Sequence, residues 1–347
     1  MRLNILAYNY RFSDGYGRFG CYLVAALQRA GHQVLPLMAS QAAAPAWMHR
    51  QWRIDWDAPS ISILPPFALH DTPGDAPHWL YTMTEGSELP EGWADIINKS
   101  NVSRVIVPCQ HNADVFAHGG VKCPISVVLG GTEPDDFPII TGRPERAYTF
   151  LALADRGARK GWVEVWQAFY RAFGAPDETP DVRLIIKARP NGNDMLEIIA
   201  GAENPDPRIT ILVDDLENPM DFYRMGDCMA IPSRSEGFGM PHREAACVGL
   251  PVITQRYSGM DDGHTDKWAY IAASGKPERI PQRFEHIAGE WMVCNVDWLS
   301  GLMAWCKENP ADAAAKGRRA AEWIRQHQTW QQTQAALIEL MESQPWH

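Results

Sequence analysis

The stretch SRSEGFGMPHREAACVGLPVI, Ser233 to Ile253, constrains this chain more than any other. Each of its boundaries has a local physical cause. Ahead of it, Cys228-Met229-Ala230-Ile231 is an apolar run of buried-strand length, and Pro232, which cannot donate to a ladder, ends it. Gly237 and Gly239 let the backbone turn sharply and leave its N–H groups uncovered. Pro241 suits the first position of a helix and Gly249 the residue just past its end, which predicts a helix of a little over two turns. Pro251-Val252-Ile253-Thr254 then resumes as a strand.

Such a turn suits a negatively charged, hydroxyl-rich ligand. Free N–H groups and the positive end of a helix dipole attract phosphate, so Gly237, Phe238, Gly239 and Met240 form a candidate diphosphate cradle. Glu236 precedes the glycines and Glu244 falls in the first helical turn. Carboxylates do not bind phosphate, but each accepts two hydrogen bonds from neighbouring sugar hydroxyls. A phosphate cradle flanked by two hydroxyl acceptors fits a nucleotide sugar, with one Glu for the donated sugar and one for the ribose. Taken singly, Glu244 is favourable at a helix start without any ligand and Glu236 is an ordinary turn carboxylate. The pair at this spacing is the informative unit.

That unit is Glu, seven residues containing Gly-Phe-Gly-x-Pro, Glu, and then Ala-x-x-Gly-x-Pro-Val. It resembles the signature of the retaining glycosyltransferases of family 4. The resemblance implies the GT-B fold, an α/β architecture of two Rossmann-like domains whose parallel sheets face each other across a cleft. It covers the second half of the chain well and the first half in outline. Lys160-Gly161 resembles the family's Lys-Gly, whose Lys reaches the donor diphosphate. Five residues earlier the family usually has Arg; here that position is Asp155, with Arg156 and Arg159 as the neighbouring candidates. Lys187 and Arg189 end a strand, VRLIIKAR, where an open α/β sheet places its ligand. Asp227 resembles the family's Asp before the motif strand. Asp214-Asp215 looks like a metal pair, but the resemblance implies a diphosphate neutralised by basic side chains and helix termini, with no metal required.

In the first half, LNILAY reads as a strand, SDGYGRFG as a glycine loop and CYLVAALQRAGH as a helix, the opening of a Rossmann-like unit. Gly15-x-Gly17-x-x-Gly20 matches a dinucleotide fingerprint, a weak signal alone, and the next strand segment, HQVLPLMAS, holds no acidic residue to complete it. By resemblance, Gly15, Gly17 and Arg18 are donor-binding candidates. Many family members carry a His in the loop after the fourth strand. Here the loop reads TMTEGSELP, with Thr84 and Glu85 at that place, so Glu85 is the candidate for contact with sugar or acceptor. His78 and His111 read as ordinary partly buried residues. Trp47, Trp52 and Trp56 interleave with His49, Arg50 and Arg53, a stretch that suits acceptor binding or simply a core cluster.

At 347 residues the chain suits two domains. The expected division is 1–143 for an acceptor domain, 144–325 for a nucleotide-sugar domain and 326–347 for a last helix crossing back onto the first. The Pro- and Gly-rich GTEPDDFPIITGRPERA reads as the linker. A net charge of −10 argues against broad nucleic-acid or anionic-lipid binding. The seven Cys are scattered, without a Cys-x-x-Cys pair, and no apolar run has the length of a membrane span. These features point to the cytoplasm, with neither a disulfide framework nor a zinc site.

The functional expectation is a retaining glycosyltransferase with no cofactor beyond its co-substrate, a UDP- or GDP-sugar. Lys160, Arg156, Glu236 and Glu85 would act at the reacting centre. The acceptor partner is left open among a glycan, a lipid carrier, a protein and a modified nucleic-acid base. Two alternatives are a catalytically inactive nucleotide-sugar-binding protein and an NAD-dependent oxidoreductase using the glycine fingerprint.

Overall fold

The computed structural model describes residues 1–12, 15–42, 54–142, 145–154, 157–188, 206–213, 216, 218–282, 284 and 286–343. The chain divides into two compact units. Unit 1 comprises Met1–Glu133, Pro281–Gly289 and Gln328–His347; unit 2 comprises Pro134–Ile280 and Glu290–His327. Among the described residues no helix is long and apolar enough to cross a membrane.

Unit 1 is built on six parallel strands: β1 (Arg2–Ala7), β2 (Gln33–Met38), β3 (Ser60–Ile63), β4 (His78–Tyr81), β5 (Val102–Val107) and β6 (Ile125–Val127). Their order is β2-β1-β3-β4-β5-β6. Pro36 lies in β2, at the sheet edge, where the N–H it lacks is not needed by an outer neighbour. Helix α1 (Gly15–Arg29) buries Phe19, Leu23 and Leu27, four residues apart and so on one face. The helix begins at Gly15, so the segment expected as a glycine loop is already its first turn. Helices α2 (Trp93–Lys99) and α3 (Gln110–His118) cover the other end of the sheet, where Trp93 and Phe116 pack with Leu80, Val105 and Val107.

Strand β3 carries a weak sequence signal because two of its four residues are Ser, yet all four are buried. Its polar atoms are satisfied laterally: Ser60 Oγ accepts from Asn4 Nδ2 at 3.2 Å, and Ser62 Oγ lies 2.7 Å from His78 Nε2. His78 Nδ1 meets Asn101 Oδ1 at 2.8 Å, so this buried imidazole is a framework residue.

Unit 2 holds a second six-stranded parallel sheet: β7 (Tyr148–Leu153), β8 (Val182–Lys187), β9 (Ile209–Leu212), β10 (Cys228–Ala230), β11 (Val252–Thr254) and β12 (Tyr270–Ile271). Helix α4 (Trp162–Phe173) buries Val165, Phe169 and Phe173 against Phe150 and Leu184, and α7 (Val296–Glu308) adds Leu299 and Met303 to the same core. Each such side chain contributes roughly 1.5–3 kcal/mol on full burial. Two shorter helices, α5 (Pro219–Arg224) and α6 (Met240–Cys247), flank β10 in sequence. An antiparallel ribbon of β13 (Ser274–Arg279) and β14 (Glu290–Cys294) follows β12.

The Ala-rich end of the chain forms α7, then α8 (Pro310–His327) and α9 (Trp330–Ser343). In unit 1, α9 is anchored on α1 by Trp330, 1% exposed, edge-on to Phe19 at 4.5 Å and stacked on Tyr22 at 5.6 Å.

Candidate active site

The strand order of unit 2, β12-β11-β10-β7-β8-β9, decides where a ligand can sit. From β7 the chain steps to β8 and β9 on one side, then returns to lay β10, β11 and β12 on the other. The direction reverses between β7 and β10, and the loops leaving their carboxyl ends diverge there to open a crevice. Those two loops carry Arg159-Lys160-Gly161 and Ser233 to Gly239.

The loops are stitched together by their backbones. Arg234 N–H donates to Arg159 O at 2.7 Å. Gly161 caps α4 with φ 73°, and a Cβ there would fall 2.3 Å from Pro232 O, so only glycine permits this approach. The result is that Lys160 Nζ donates to Glu236 Oε1 at 2.6 Å and Arg159 Nη1 to Glu236 Oε2 at 3.0 Å. Arg159 Nη1 also donates to Ser235 O at 3.1 Å. The side chains of Glu236, Arg159 and Lys160 are 5%, 8% and 11% exposed. Burial alone would push the Glu236 carboxyl up; Lys160 and Arg159 outweigh it and hold the group well below the usual carboxylate range. Glu236 is therefore an anion at neutral pH.

Helix α6 starts at Met240, one residue before the expected Pro241, so Glu244 falls just past the first turn in which the sequence reading put it. Gly239 caps it with φ 81°, Pro241 lies in its first turn, and Gly249 follows its end with φ 85°. The Phe238 ring is buried with the Arg243 guanidinium 4.1 Å above it, so this turn presents backbone rather than side chain. His242, in the first turn, is fully buried. Its Nε2–H donates to Ile231 O at 3.0 Å, which leaves Nδ1 as the unprotonated nitrogen. Burial pushes this imidazole down to about 3, with Lys160 and Arg243 acting in the same direction and Glu236 against them. Neither His242 Nδ1 nor Ser235 Oγ has a hydrogen-bond partner among the described residues. Buried polar atoms are usually paired, and unpaired ones mark places where a ligand or water completes the set.

Residues 135–287 match the family described as Glycosyl transferases group 1. The solved sucrose-phosphate synthase from Thermosynechococcus elongatus superposes with a TM-score of 0.72 at 14% identity, over 99% of this chain and 98% of that one. Anabaena HepE in complex with UDP and glucose superposes with a TM-score of 0.66 at 14% identity, over 99% and 100%. The chain has the GT-B fold of glycosyltransferases.

Among curated proteins, the D-inositol 3-phosphate glycosyltransferases of Mycobacterium bovis (strain BCG / Pasteur 1173P2) and Mycobacterium tuberculosis (strain H37Rv) are each 26% identical to it over 302 residues. The match spans 84% of this chain but 58% of each relative's length.

Within this GT-B chain, the second motif carboxylate is held in place by its own neighbours. Glu244 is 3% exposed and accepts from Tyr223 O–H of α5 at 2.8 Å. Tyr223 is set by α5, whose cap Asn218 Oδ1 accepts from Met220 N–H. Asp227 has a framework role: its carboxylate accepts from Thr149 N–H at 2.9 Å, and Arg146 lies at 3.3 Å. Lys187 ends β8, half-buried, on the carboxyl side of the sheet. Arg156, Arg189, Asp214, Asp215, Trp47, His49, Arg50, Trp52 and Arg53 lie outside the described residues.

In unit 1, Gly15 is exposed at the start of α1 and Arg18 is half-buried in its first turn. Gly17 has a packing reason to be glycine, since a Cβ would lie 2.2 Å from Asn9 Oδ1 and 2.6 Å from Arg11 O. The loop after β4 holds Thr84, buried, its N–H donating to Asn112 Oδ1 at 2.6 Å, and Glu85, half-buried. His111 Nε2 lies 3.1 Å from Gly86 O, so it buttresses this loop. Among the described residues no three His, Cys, Asp or Glu side chains gather as a metal-ligand set.

Sequence reasoning missed three residues that the structure brings to the site: His242, Tyr223 and Arg243. A polar residue on the buried face of a short helix was the available signal for His242 and Arg243. Nothing local links Tyr223 to Glu244, twenty-one residues away.

Proposed function

We propose that this chain is a retaining glycosyltransferase that moves a sugar from a nucleotide-sugar donor to an acceptor hydroxyl. The observation that carries the reading is the Lys160–Glu236–Arg159 cluster at the switch point of unit 2, beside the glycine-capped start of α6. The donor diphosphate lies along the Gly237–Met240 turn, where the positive end of the α6 dipole favours it. An ammonium has three donors, so Lys160 can keep its bond to Glu236 and still meet a phosphate oxygen. Glu236, held anionic, accepts from hydroxyls of the transferred sugar, and Glu244 accepts from the ribose. UDP is the first donor nucleotide to test, because the solved HepE structure holds UDP and glucose.

In the reaction the bond from the anomeric carbon to the diphosphate oxygen breaks, and charge develops on the departing oxygens. Lys160, Arg159 and the turn amides stabilise that charge, which makes a resident metal unnecessary. The acceptor oxygen bonds to the anomeric carbon on the face the diphosphate leaves, and the hydroxyl proton passes to a diphosphate oxygen. Configuration is thereby retained. The seven cysteines are all free thiols, which suits the reducing cytoplasm.

The test is to incubate the protein with α-configured UDP- and GDP-sugars and follow the released sugar by NMR. The reading predicts hydrolysis above the buffer rate that yields the α-anomer first. Release of the β-anomer first, or no release from any donor, would defeat it.

A further inference from the structure

Ser258 is the only non-glycine residue among the described ones with a positive φ, 50°. A side chain in that region is strained, and such strain persists where the surroundings over-determine it, commonly beside functional groups. What Ser258 touches is specific. Its Oγ accepts from the Glu236 N–H at 2.8 Å, and the next residue, Gly259, donates its N–H to Glu236 O at 2.8 Å. Both backbone polar groups of Glu236 thus end on two consecutive residues of one loop.

That loop is fixed from beneath by a buried ion pair. Arg243 Nη2 donates to Gly259 O at 3.2 Å and to Asp262 Oδ2 at 3.0 Å, while its Nη1 donates to Phe238 O. The Arg243 and Asp262 side chains are both 0% exposed. The guanidinium lies between the Phe238 and Trp268 rings, 4.1 and 5.1 Å from their centroids. Asp262 is further satisfied by the His264 N–H at 2.8 Å and Trp268 Nε1–H at 3.2 Å. A single planar fork therefore ties the Phe238 carbonyl of the glycine turn to the Gly259 carbonyl of the loop that clamps Glu236, a geometry an ammonium cannot copy.

We infer that Ser258 is a positioning residue for Glu236: its strained backbone and hydroxyl, backed by the Arg243–Asp262 pair, set the placement of the Glu236–Gly239 turn. It acts through Glu236 and need not touch a ligand. The catalytic part of the inference rests on the proposed function; the structural part stands apart from it.

Ser258→Gly separates the two roles. Glycine takes this φ without strain, so thermal stability should hold or rise, while the hydroxyl that accepts from Glu236 is lost. The inference predicts amide hydrogen exchange at Glu236 faster by about tenfold or more, and kcat lower by about tenfold or more with the donor KM changed less. Parental exchange at Glu236 in the variant would overturn the brace whatever the enzyme does. Faster exchange with parental kcat and KM would overturn the positioning role. If the parent turned over no nucleotide sugar, the proposed function would fall while the exchange measurement still decided the brace.

Discussion

The Glu236 carboxylate holds two cations from a neighbouring loop, Lys160 Nζ on one oxygen at 2.6 Å and Arg159 Nη1 on the other at 3.0 Å. Buried ion pairs add little net stability, because desolvation offsets most of the attraction. Leaving one partner alone is a different matter. Glu236→Ala would leave two cations buried together, and a loss of about 3–5 kcal/mol in urea unfolding is expected. A loss below about 1 kcal/mol would show that the cations relax into solvent.

Lys160→Ala should act mainly on turnover, since its charge matters most as the diphosphate departs. Loss of one positioned electrostatic donor typically costs about 100- to 1,000-fold in kcat. Steady-state kinetics with the best donor should show that fall, with a smaller change in donor affinity. Parental kcat would remove Lys160 from the chemistry.

Tyr223→Phe takes away the hydroxyl that donates to buried Glu244. A hydrogen bond to a charged group contributes about 1.5–3 kcal/mol, and this loss should appear in unfolding free energy. Donor affinity should fall with it, because Glu244 loses one of the bonds that place its carboxylate. Unchanged stability would mean that Glu244's other neighbours alone hold it.

Acid should weaken the fold through two groups in one site. His242 has its folded value pushed down to about 3 against an ordinary 6.5, so between those values the unfolded chain binds the extra proton. Its contribution is complete above about pH 6.5 and is lost as pH falls toward 3. Glu236, also depressed, adds its loss only below the ordinary carboxylate range. The urea midpoint should therefore decline between pH 6.5 and 4.5, and His242→Leu should flatten that segment. An unaltered slope in the variant would assign the acid sensitivity elsewhere.

The strand, turn, helix and strand from Cys228 to Thr254 were legible because Pro232, Gly239, Pro241 and Gly249 impose their conformations locally. Lys160 and Glu236, seventy-six residues apart, were paired only through the family resemblance; no periodicity joins them. The start of α1 was misread because glycines at Gly15 and Gly17 look like a loop, whereas Gly17 is small to admit Asn9 and Arg11. Strand β3 hid behind its serines, whose partners Asn4 and His78 come from other strands. Arg243 and Asp262 carried no local sign of pairing, since a charged residue in a polar stretch ordinarily faces water.

The most direct test of the central claim is calorimetric titration of the parent and of Glu236→Gln with UDP- and GDP-sugars. Should α6, Lys160 and Glu236 together hold an activated sugar, at least one donor will bind the parent one-to-one, and Glu236→Gln will bind it about tenfold or more weakly. Identical affinity in the two proteins, or no binding of any nucleotide sugar to the parent, would contradict the account.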